Sequence, residues 1–599
     1  MTASVHAMPF GAAVTPEGVR FALWAPSAKT VALLLDGSTR AMSRDHDGWW
    51  RAAVPGAGAG SRYAYVIDGA EKVPDPASRF QPDDVFGPSM VIDPAGYDWQ
   101  DGAWRGRAWE EAVLYEVHVG TATPEGTFAA LTLRLPELAD LGVTAIELMP
   151  LSDFAGARNW GYDGVLPFAP DSAYGTPDDL KRLVDRAHGL GLMVFFDVVY
   201  NHFGPAGNHL GRYAAPFFTE RHHTPWGAAI NFDGEAARPV RDLFVHNALY
   251  WLEEFHGDGL RFDAVHAIAD DSRPHILAEI ATSVRAALPG RAIHLVLEND
   301  RNEARWLSRG QRLFDAQWAD DVHHAWHVVL TGEREGYYED VADDPVEHLG
   351  RALAEGFAWQ GEPSRHRGGT PRGEVSSHLP PSAFVAFLQN HDQVGNRALG
   401  ERLAALAAPQ RLALARAVLL LAPQIPLLFM GEEWDASTPF RYFVDFAHDD
   451  ALAAAVRDGR RREFARFAAF AGGTGAIPDP TAEAAFHDSR LDWDEAARAP
   501  HATVRAEVRR LLALRREAVL PLTRTDFLGA MWARPTPDAL DVTWRFADGT
   551  LRLTLNFGNV AAEYGIIHGD RPVWSSPAAE LRAGAVALPP WTGALFRGA

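Results

Sequence analysis

The stretch Gly259-Leu-Arg-Phe-Asp-Ala-Val-His266 is the most informative part of this 599-residue chain. A short apolar run ends here in an acid, and Arg261 and Asp263 are two residues apart, so they share one face of the predicted strand. Seven other apolar runs end in polar residues in the same way. The eight predicted strands span residues 113–119, 145–149, 194–198, 259–262, 293–297, 313–317, 384–388 and 426–430.

Amphipathic stretches separate these strands. In residues 177–190 and 274–288, for example, apolar residues recur at every third or fourth position, as in a helix with one buried face. Eight such repeats predict an α/β fold, a (β/α)8 TIM barrel, whose chemistry lies at the C-terminal ends of the strands. One polar residue after a strand is usually a helix cap, but eight together favour a shared functional site.

Shorter β-rich segments flank the predicted barrel. They predict an N-terminal β-sandwich over residues 1–105 and a small C-terminal β-sandwich over residues 527–599. The strand-like runs lie at 19–24, 30–35, 49–54, 63–67, 541–544, 551–556 and 585–588, and a Pro-rich tail ends the chain. The barrel, residues 106–526, then carries insertions at about 201–238 and 318–380, which we expect to wall the substrate cleft.

Composition excludes several classes of function. The chain has 56 basic and 78 acidic residues, a formal net charge of -22, and no basic arm, so we expect no nucleic-acid partner. It has no cysteine, which excludes thiol nucleophiles and cysteine metal sites. No lysine follows a glycine, so the phosphate-binding Gly-Lys of a P-loop is absent. Carboxylates, histidines and aromatic rings remain, which favours acid/base or carbohydrate chemistry. For the glycosidase mechanism given below, we expect no cofactor.

No membrane segment is predicted either. The most apolar stretch, residues 412–430, is interrupted by Arg416 and two prolines, and a membrane span needs about 20 apolar residues. Residues 1–10 do not combine a basic cluster with an apolar run, as a secretory signal would. We therefore expect a cytoplasmic protein.

Three acids have positions that suit catalysis. Asp263, Glu298 and Asp392 end the fourth, fifth and seventh predicted strands. Neighbouring barrel strands are about 4.8 Å apart, so Asp263 and Glu298 can face each other at about the 5 to 5.5 Å used by retaining glycosidases. Arg261 would keep Asp263 ionised as the nucleophile, and the apolar run 295–297 favours a protonated Glu298 as the acid.

Four segments in this order resemble the hallmark segments of the α-amylase superfamily, glycoside hydrolase family 13. They are Asp-Val-Val-Tyr-Asn-His at 197–202, Gly-Leu-Arg-Phe-Asp-Ala-Val-His at 259–266, Leu-Val-Leu-Glu-Asn at 295–299 and Phe-Leu-Gln-Asn-His-Asp-Gln at 387–393. The resemblance implies that Asp263 is the nucleophile, Glu298 the general acid/base, and Asp392 the acid that binds the distorted sugar and stabilises the transition state.

The same resemblance implies a set of substrate-binding residues. His202 and His391 match histidines that hydrogen-bond the sugar in the cleavage subsite, and Tyr162 matches the aromatic platform of that subsite. The further predicted substrate-binding residues are Asp197, Arg261 and Gln393 on these segments, and Asn396 and Arg397 just after the last one.

Within the superfamily, three more stretches resemble the maltooligosyltrehalose trehalohydrolase family. They are residues 317–338, residues 357–369 and Leu-Phe-Met-Gly-Glu-Glu-Trp at 428–434. On the leaving-group side, His266 and Ala267 stand where many α-amylases have Lys-His. We predict that His266 binds substrate there, and that Asp320, Asp321 and His324 bind a trehalose leaving group.

A metal site is not expected. His323, His324 and His327 have helical spacing, but no acidic ligand pattern accompanies them. Asn201 resembles a calcium ligand of α-amylases, although the other ligands of that site are not identifiable in this chain.

These features together predict a hydrolase that cuts the α-1,4 bond next to the terminal trehalose of maltooligosyltrehalose by retaining double displacement. Its expected partners are maltooligosyltrehalose, maltooligosaccharides and, through shared substrate, a maltooligosyltrehalose synthase. The first alternative is a glucan branching enzyme, which shares the sandwich, barrel and acids but transfers the glucosyl group to another chain. The second is a catalytically silent glucan-binding protein, a class that usually lacks one of the three acids.

Overall fold

Two antiparallel sheets form the N-terminal domain. The computed structural model describes residues 5–224, 227–307, 313–464 and 477–598. The first nine strands are β1 Gly11–Thr15, β2 Gly18–Trp24, β3 Val31–Leu35, β4 Ser38–Ala41, β5 Ser43–Arg44, β6 Trp49–Pro55, β7 Arg62–Ile67, β8 Glu71–Val73 and β9 Ser89–Met90. One sheet has the order β1-β2-β6-β5 and the other β4-β3-β7-β8, with β9 beside β7. The four predicted strands correspond to β2, β3, β6 and β7 within one residue.

A closed parallel barrel follows. The strands from here to the end of the barrel are β10 Leu114–Val117, β11 Ala145–Leu148, β12 Ser152–Asp153, β13 Leu166–Pro170, β14 Met193–Val198, β15 Phe218–Thr224, β16 Gly227–Ile230, β17 Gly259–Phe262, β18 His294–Leu297, β19 Ala316–Trp318, β20 Phe384–Ala386 and β21 Ile425–Phe429. The barrel order is β10-β11-β14-β17-β18-β19-β20-β21, whereas β12/β13 and β15/β16 are separate two-stranded sheets. All eight predicted barrel strands are confirmed.

The sixth barrel strand shows the largest difference from its prediction. The run 313–317 was expected to form it, but β19 begins at Ala316. The carboxylate of Asp315 accepts hydrogen bonds from the backbone N–H of Leu295 and from Arg285, at 2.8 and 2.6 Å. The side chain of Asp315 thus occupies the backbone N–H of Leu295, which a regular strand pair would use. Regular pairing therefore starts one residue after Asp315, at Ala316.

Helices surround the barrel and also lie in the long segments that connect its strands. They are α1 Val119–Ala122, α2 Phe128–Leu141, α3 Pro177–Gly189, α4 Leu210–Tyr213, α5 Ala237–Glu253, α6 Ile276–Ala287, α7 Asp320–Thr331, α8 Pro345–Glu355, α9 His391–Gly395, α10 Leu403–Leu406, α11 Pro409–Leu421, α12 Asp450–Phe464, α13 Glu483–His487, α14 His501–Leu514 and α15 Leu520–Thr523. Helix α3 agrees with its prediction because Thr176 and Asp179 form a capping box ahead of Pro177. Helix α6 starts later than predicted, where the side chain of His275 accepts from the N–H of Leu277.

The structure shows a third insertion, which sequence analysis did not identify. It follows β21, contains α12 and α13, and reaches the face where the barrel strands end. The indole N–H of Trp160 donates to the carbonyl of Arg441 at 2.9 Å, and Arg460 donates to the carbonyl of Gly395 at 2.7 Å. The catalytic face is therefore contacted from this segment as well as from the two predicted insertions. None of the described helices is long and apolar enough to cross a membrane.

The C-terminal domain contains two sheets. Its strands are β22 Phe527–Ala533, β23 Ala539–Phe546, β24 Gly549–Asn556, β25 Ala562–Gly565, β26 Arg571–Ser575, β27 Glu580–Arg582, β28 Ala585–Leu588 and β29 Thr592–Gly598. The expected Pro-rich tail ends in β29, which lies between β24 and β26. Pro589 and Pro590 only precede this strand, so its backbone N–H groups stay available for pairing.

A buried cluster of histidine and aspartate ties the segment before the barrel to the barrel's N-terminal end. The imidazole of His188 on α3 lies between Asp101 and Asp258, with nitrogen–oxygen distances of 2.8 and 2.9 Å. Trp104 stacks on this ring and donates to Asp258 at 2.7 Å. Although burial opposes the charge, the two carboxylates raise the pKa of His188, so they favour the charged form of a buried ring that links three segments of the chain.

We predict that His188→Gln lowers the thermal unfolding midpoint, because removing one partner of a buried ion pair costs about 3 kcal/mol. The folded-state pKa of His188 is raised, so its charge contributes fully below about pH 6.5 and the contribution is lost as the pH rises through the folded pKa. Thermal melts at pH 6 and pH 9 should therefore show the larger deficit at pH 6.

The matched control is His46→Gln, which removes a histidine whose side chain is 88% exposed beside Asp47. It should leave the midpoint unchanged at both pH values. An equal deficit for His188→Gln at pH 6 and pH 9 would contradict the assignment of a buried cation.

Candidate active site

The buried guanidinium of Arg261 lies at the centre of the candidate site. Strands β14 and β17 pair with Asp197 opposite Arg261, so the register itself brings the two charges together. One guanidinium nitrogen donates to Asp197 at 2.7 Å and to Asp263 at 2.9 Å, and the other lies 3.7 Å from Glu298. The cation also lies 4.2 Å from the centre of the Trp318 ring. A single cation thus contacts three acidic side chains at the ends of three strands.

Asp263 is held on both of its oxygens. Oδ1 accepts from Arg261, and Oδ2 accepts from the side-chain amide of Asn201 at 2.8 Å. The same amide donates to the backbone carbonyl of Asp263, also at 2.8 Å. Two donors orient the carboxylate while 13% of the side chain stays exposed, which suits an ionised nucleophile open to the cleft.

Glu298 has the opposite electrostatic setting. Burial and the neighbouring charges of Asp263, Asp320 and Asp392 raise its pKa well above the usual value, although Arg261 opposes this rise. Oε2 accepts from the backbone N–H of Ala264 at 2.5 Å. Ala264 has φ 40° and ψ 48°, a left-handed conformation that is unfavourable for alanine. This strained residue directs its N–H to Glu298, and a protonated Glu298 can act as a general acid.

Asp392 completes the group of acids. It lies in the first turn of α9, and its side chain is 46% exposed. The amide of Asn396 donates to its Oδ1 at 3.1 Å. The cap of α9 uses Asn390 and Gln393, whose side chains exchange hydrogen bonds with each other's backbone. Asp392 is thus held at a helix start with an accessible carboxylate.

An aromatic and histidine wall lies beside these acids. The ring of Tyr162 is stacked on His391 with 5.1 Å between centres, and its hydroxyl donates to Asp197 at 2.7 Å. Asp392 and Glu116 raise the pKa of His391 to about 9, against the effect of burial. His202, bonded to Asn201, has a pKa lowered by burial, although Asp263 and Asp163 oppose this. The wall therefore contains one cationic and one neutral imidazole.

Several predicted substrate-binding residues make supporting contacts. Only 2% of the Asp197 side chain and none of Arg261 is exposed, so both lie beneath the cleft surface. Arg397 pairs with Glu333 at 2.7 and 3.0 Å. Together with Gln393 in the helix cap, these side chains support the groups at the mouth of the candidate site.

The predicted trehalose-binding residues separate into two kinds. Asp320 lies close enough to raise the pKa of Glu298, and its own pKa is raised to about 7, mainly by burial. The ring of His324 lies 4.9 Å from Tyr337. Asp321 is instead buried, pairs with Arg372 at 2.9 Å, and accepts from the N–H of Ala358 at 2.8 Å. Asp321 therefore anchors the stretch 357–369 on α7, whereas Asp320 and His324 remain candidate ligands.

His266 lies on the same side of the site. Its Nδ1 accepts from the backbone N–H of Asp300 at 3.4 Å. Burial lowers its pKa, with Asp300 and Asp263 opposing this effect. A neutral imidazole has one donor and one acceptor nitrogen, which suits a hydroxyl-binding role.

Possible metal ligands are already engaged by protein groups. Nε2 of His323 forms a hydrogen bond with the Tyr338 hydroxyl at 2.9 Å, and Nε2 of His327 forms one with the Glu333 carboxylate at 2.8 Å. Among the described residues, one group of three possible ligands lies within 4.8 Å, formed by His222, Asp233 and Asp271. Arg221 lies 3.5 and 3.4 Å from its two carboxylates and supplies the compensating charge.

Comparison with known proteins identifies the family. Residues 93–215 match the family described as alpha amylase, catalytic domain, and residues 9–94 match carbohydrate-binding module 48. The malto-oligosyltrehalose trehalohydrolase of Deinococcus radiodurans is 44% identical over 84% of this chain and 81% of its own length, and that of Rhizobium sp. strain M-11 is 40% identical over 98% and 99%. This chain belongs to the malto-oligosyltrehalose trehalohydrolase family.

Solved structures agree with this membership. A Salmonella typhimurium structure, provisionally described as an α-amylase, is 46% identical with a TM-score of 0.93 and covers 99% of this chain and 100% of its own. A pullulanase of Paenibacillus barengoltzii, 20% identical with a TM-score of 0.73, covers 100% of this chain and 96% of its own and shares the fold. A branching enzyme of Jannaschia sp. matches only 43% of this chain and 40% of its own length, at 37% identity.

Two important contacts in this trehalohydrolase family member were not predicted from the sequence. Asn201 was noted only as a possible calcium ligand, yet its amide holds the nucleophile candidate. Glu116 belongs to the first predicted strand, residues 113–119, and was assigned no role, yet both of its oxygens contact His391. An acid at the end of the first barrel strand was the available signal for Glu116.

We predict opposite stability effects for two adjacent acids of α7. Asp321→Asn should lower the thermal unfolding midpoint, at a cost of up to about 3 kcal/mol in stability, because it removes the nearer carboxylate partner of the buried Arg372 and leaves Asp300, 3.6 Å away, as its partner. Asp320→Asn is the matched control and should leave the midpoint unchanged or higher, because it removes a carboxylate whose charge is already unfavourable. Equal midpoints for the two variants would argue against the anchoring role of Asp321.

Proposed function

We propose that this protein hydrolyses the α-1,4-glucosidic bond next to the terminal trehalose of maltooligosyltrehalose, releasing trehalose and a maltooligosaccharide. The observation that carries the chemistry is the contrast between Asp263, held by Arg261 and Asn201, and Glu298, whose pKa is raised. Two neighbouring carboxyl groups in such different settings suit a nucleophile and an acid. The names of the relatives support the substrate.

In the proposed mechanism Glu298 donates its proton to the glycosidic oxygen as the bond to the trehalose unit breaks. Asp263 attacks the anomeric carbon and forms a β-glucosyl ester. The Glu298 carboxylate then takes a proton from water, whose oxygen attacks the same carbon, and the Asp263 carboxylate leaves. The product keeps the α configuration, and both carboxyl groups return to their starting protonation states.

Other groups would bind the reacting sugar and the leaving group. Asp392 and His391 are positioned to contact sugar hydroxyls, and Tyr162 supplies an aromatic face. Beyond the scissile bond, Asp320, His324 and His266 are the candidate ligands for trehalose hydroxyls. Functional coupling to a maltooligosyltrehalose synthase, through its product, follows from this substrate and is part of the proposal. The cytoplasmic location stays a prediction.

We expect chromatography to show rapid release of trehalose from maltotriosyltrehalose and slow attack on maltopentaose. The physical reason is that binding energy from the trehalose unit is available only with the capped substrate. Equal rates on both substrates would indicate a general amylase. New α-1,6 linkages after incubation with amylose, detected by iodine staining and branch-point analysis, would indicate a branching enzyme.

The roles of the two carboxyl groups predict different products with added azide. In Glu298→Ala, azide can replace water in attack on the β-glucosyl ester, so the product should be an α-glucosyl azide. In Asp263→Ala, azide can attack from the vacated face, which gives a β-glucosyl azide. Both variants should lose about 1,000-fold or more in kcat without azide, and NMR of the anomeric proton distinguishes the products. The same anomer from both variants would refute the assignment.

A further inference from the structure

Glu116 makes an unusual pair of contacts with His391. It lies on β10, the first barrel strand, and is 1% exposed. Its Oε1 bonds Nδ1 of His391 at 2.5 Å, and its Oε2 accepts from the backbone N–H of His391 at 3.0 Å. One carboxylate on the first barrel strand therefore holds both the ring and the main chain of His391, which follows the seventh barrel strand.

This arrangement leaves one ring nitrogen for the cleft. With Nδ1 bonded to Glu116, only Nε2 remains, and it lies 3.5 Å from Oδ1 of Asp392. The ring plane is set by stacking on Tyr162 and by an edge contact with Trp160, whose centre is 5.4 Å away. The three groups thus form a row of carboxylate, imidazole and carboxylate that ends at the candidate transition-state acid.

The charges around His391 favour a cation in this row. Glu116 and Asp392 raise the pKa of His391 to about 9, while burial and Arg261 oppose the rise. Further titratable neighbours are His118, whose pKa is lowered to about 4, and Glu147 and the stacked Tyr162, whose pKa values are raised well above their usual values, mainly by burial. Each of these shifts favours the neutral form of its group, and the two carboxylates outweigh Arg261.

We propose that Glu116 is a positioning residue for the hydrolysis, which keeps the ring of His391 protonated and turned so that Nε2–H faces Asp392 and the reacting sugar. The proposal rests on the proposed function for its kinetic consequence. Glu116 itself does not reach the cleft, and it acts through His391.

Glu147 offers a matched control for Glu116. It pairs in register with Glu116 on the neighbouring strand β11 and is also 1% exposed. Neither of its oxygens has a hydrogen-bond partner among the described residues. Because burial raises the pKa of Glu147 and so favours its neutral form, Glu147→Gln conserves its shape and that favoured charge. It should leave the pH profile of kcat unchanged.

The kinetic test compares Glu116→Gln with wild type across the pH range. Without the carboxylate, the pKa of His391 should fall toward its ordinary value, about 6.5. We expect kcat to fall roughly ten- to thirtyfold at pH 8, and less than about threefold at pH 5.5, where solvent protonates the ring. KM should change less than about threefold. Taking the ratio to wild type at each pH removes the titration of Glu298, which both proteins share.

The outcomes distinguish positioning from a merely structural role. A pH-dependent loss in Glu116→Gln and none in Glu147→Gln supports the proposal. A loss that is equal at pH 5.5 and pH 8, or equal losses in the two variants, overturns it. In a His391→Asn background, adding Glu116→Gln should cause no further loss in kcat, and additive losses would also overturn the proposal.

A second measurement needs no substrate. NMR titration of protein labelled at the histidine ring carbons, with the His391 signal assigned from His391→Asn, should show His391 titrating near pH 9 in wild type. A wild-type titration near pH 6.5 overturns the proposal even if Glu116→Gln does not fold. Failure of wild type to release trehalose, with His391 still titrating near pH 9, would instead reject the proposed function alone. The kinetic comparison would then use maltopentaose.

Discussion

The contacts of Arg261 with three acidic side chains are the interaction on which the site depends. Its guanidinium is fully buried and joins Asp197, Asp263 and Glu298 across three adjacent strands. Three carboxyl groups at one barrel mouth would otherwise repel each other in a poorly solvated space. The register of β14 and β17 places the cation, and the Trp318 face supports it from the neighbouring barrel wall. The geometry of the barrel therefore also determines where the charges of the site lie.

Different surroundings then assign different roles to similar groups. Asp263 receives two side-chain donors, whereas Glu298 is surrounded by further acids that raise its pKa. His202 and His391 show the same contrast, because burial dominates the first and flanking carboxylates dominate the second. The strained turn at Ala264 joins the two catalytic candidates, since its N–H reaches Glu298 one residue after Asp263.

Sequence patterns predicted the barrel well and the supporting residues less well. Each barrel strand is a short apolar run with a polar end, which is a local signal. The distinction between Asp320 and Asp321 is not local, because successive helix residues point about 100° apart and only the packing of α7 shows which one meets Arg372. Strand β29 was missed because its pairing partners, β24 and β26, lie elsewhere in the chain.

The order of the eight strands and the acids that end them follow from local sequence, since apolar spacing and strand length are properties of neighbouring residues. Protonation state and orientation follow only from the folded chain. Glu116 is 275 positions from His391, and Asn201 is 62 positions from Asp263. A pKa depends on charges and burial within a few ångströms in space, and no local pattern records which distant side chains the closed barrel brings there.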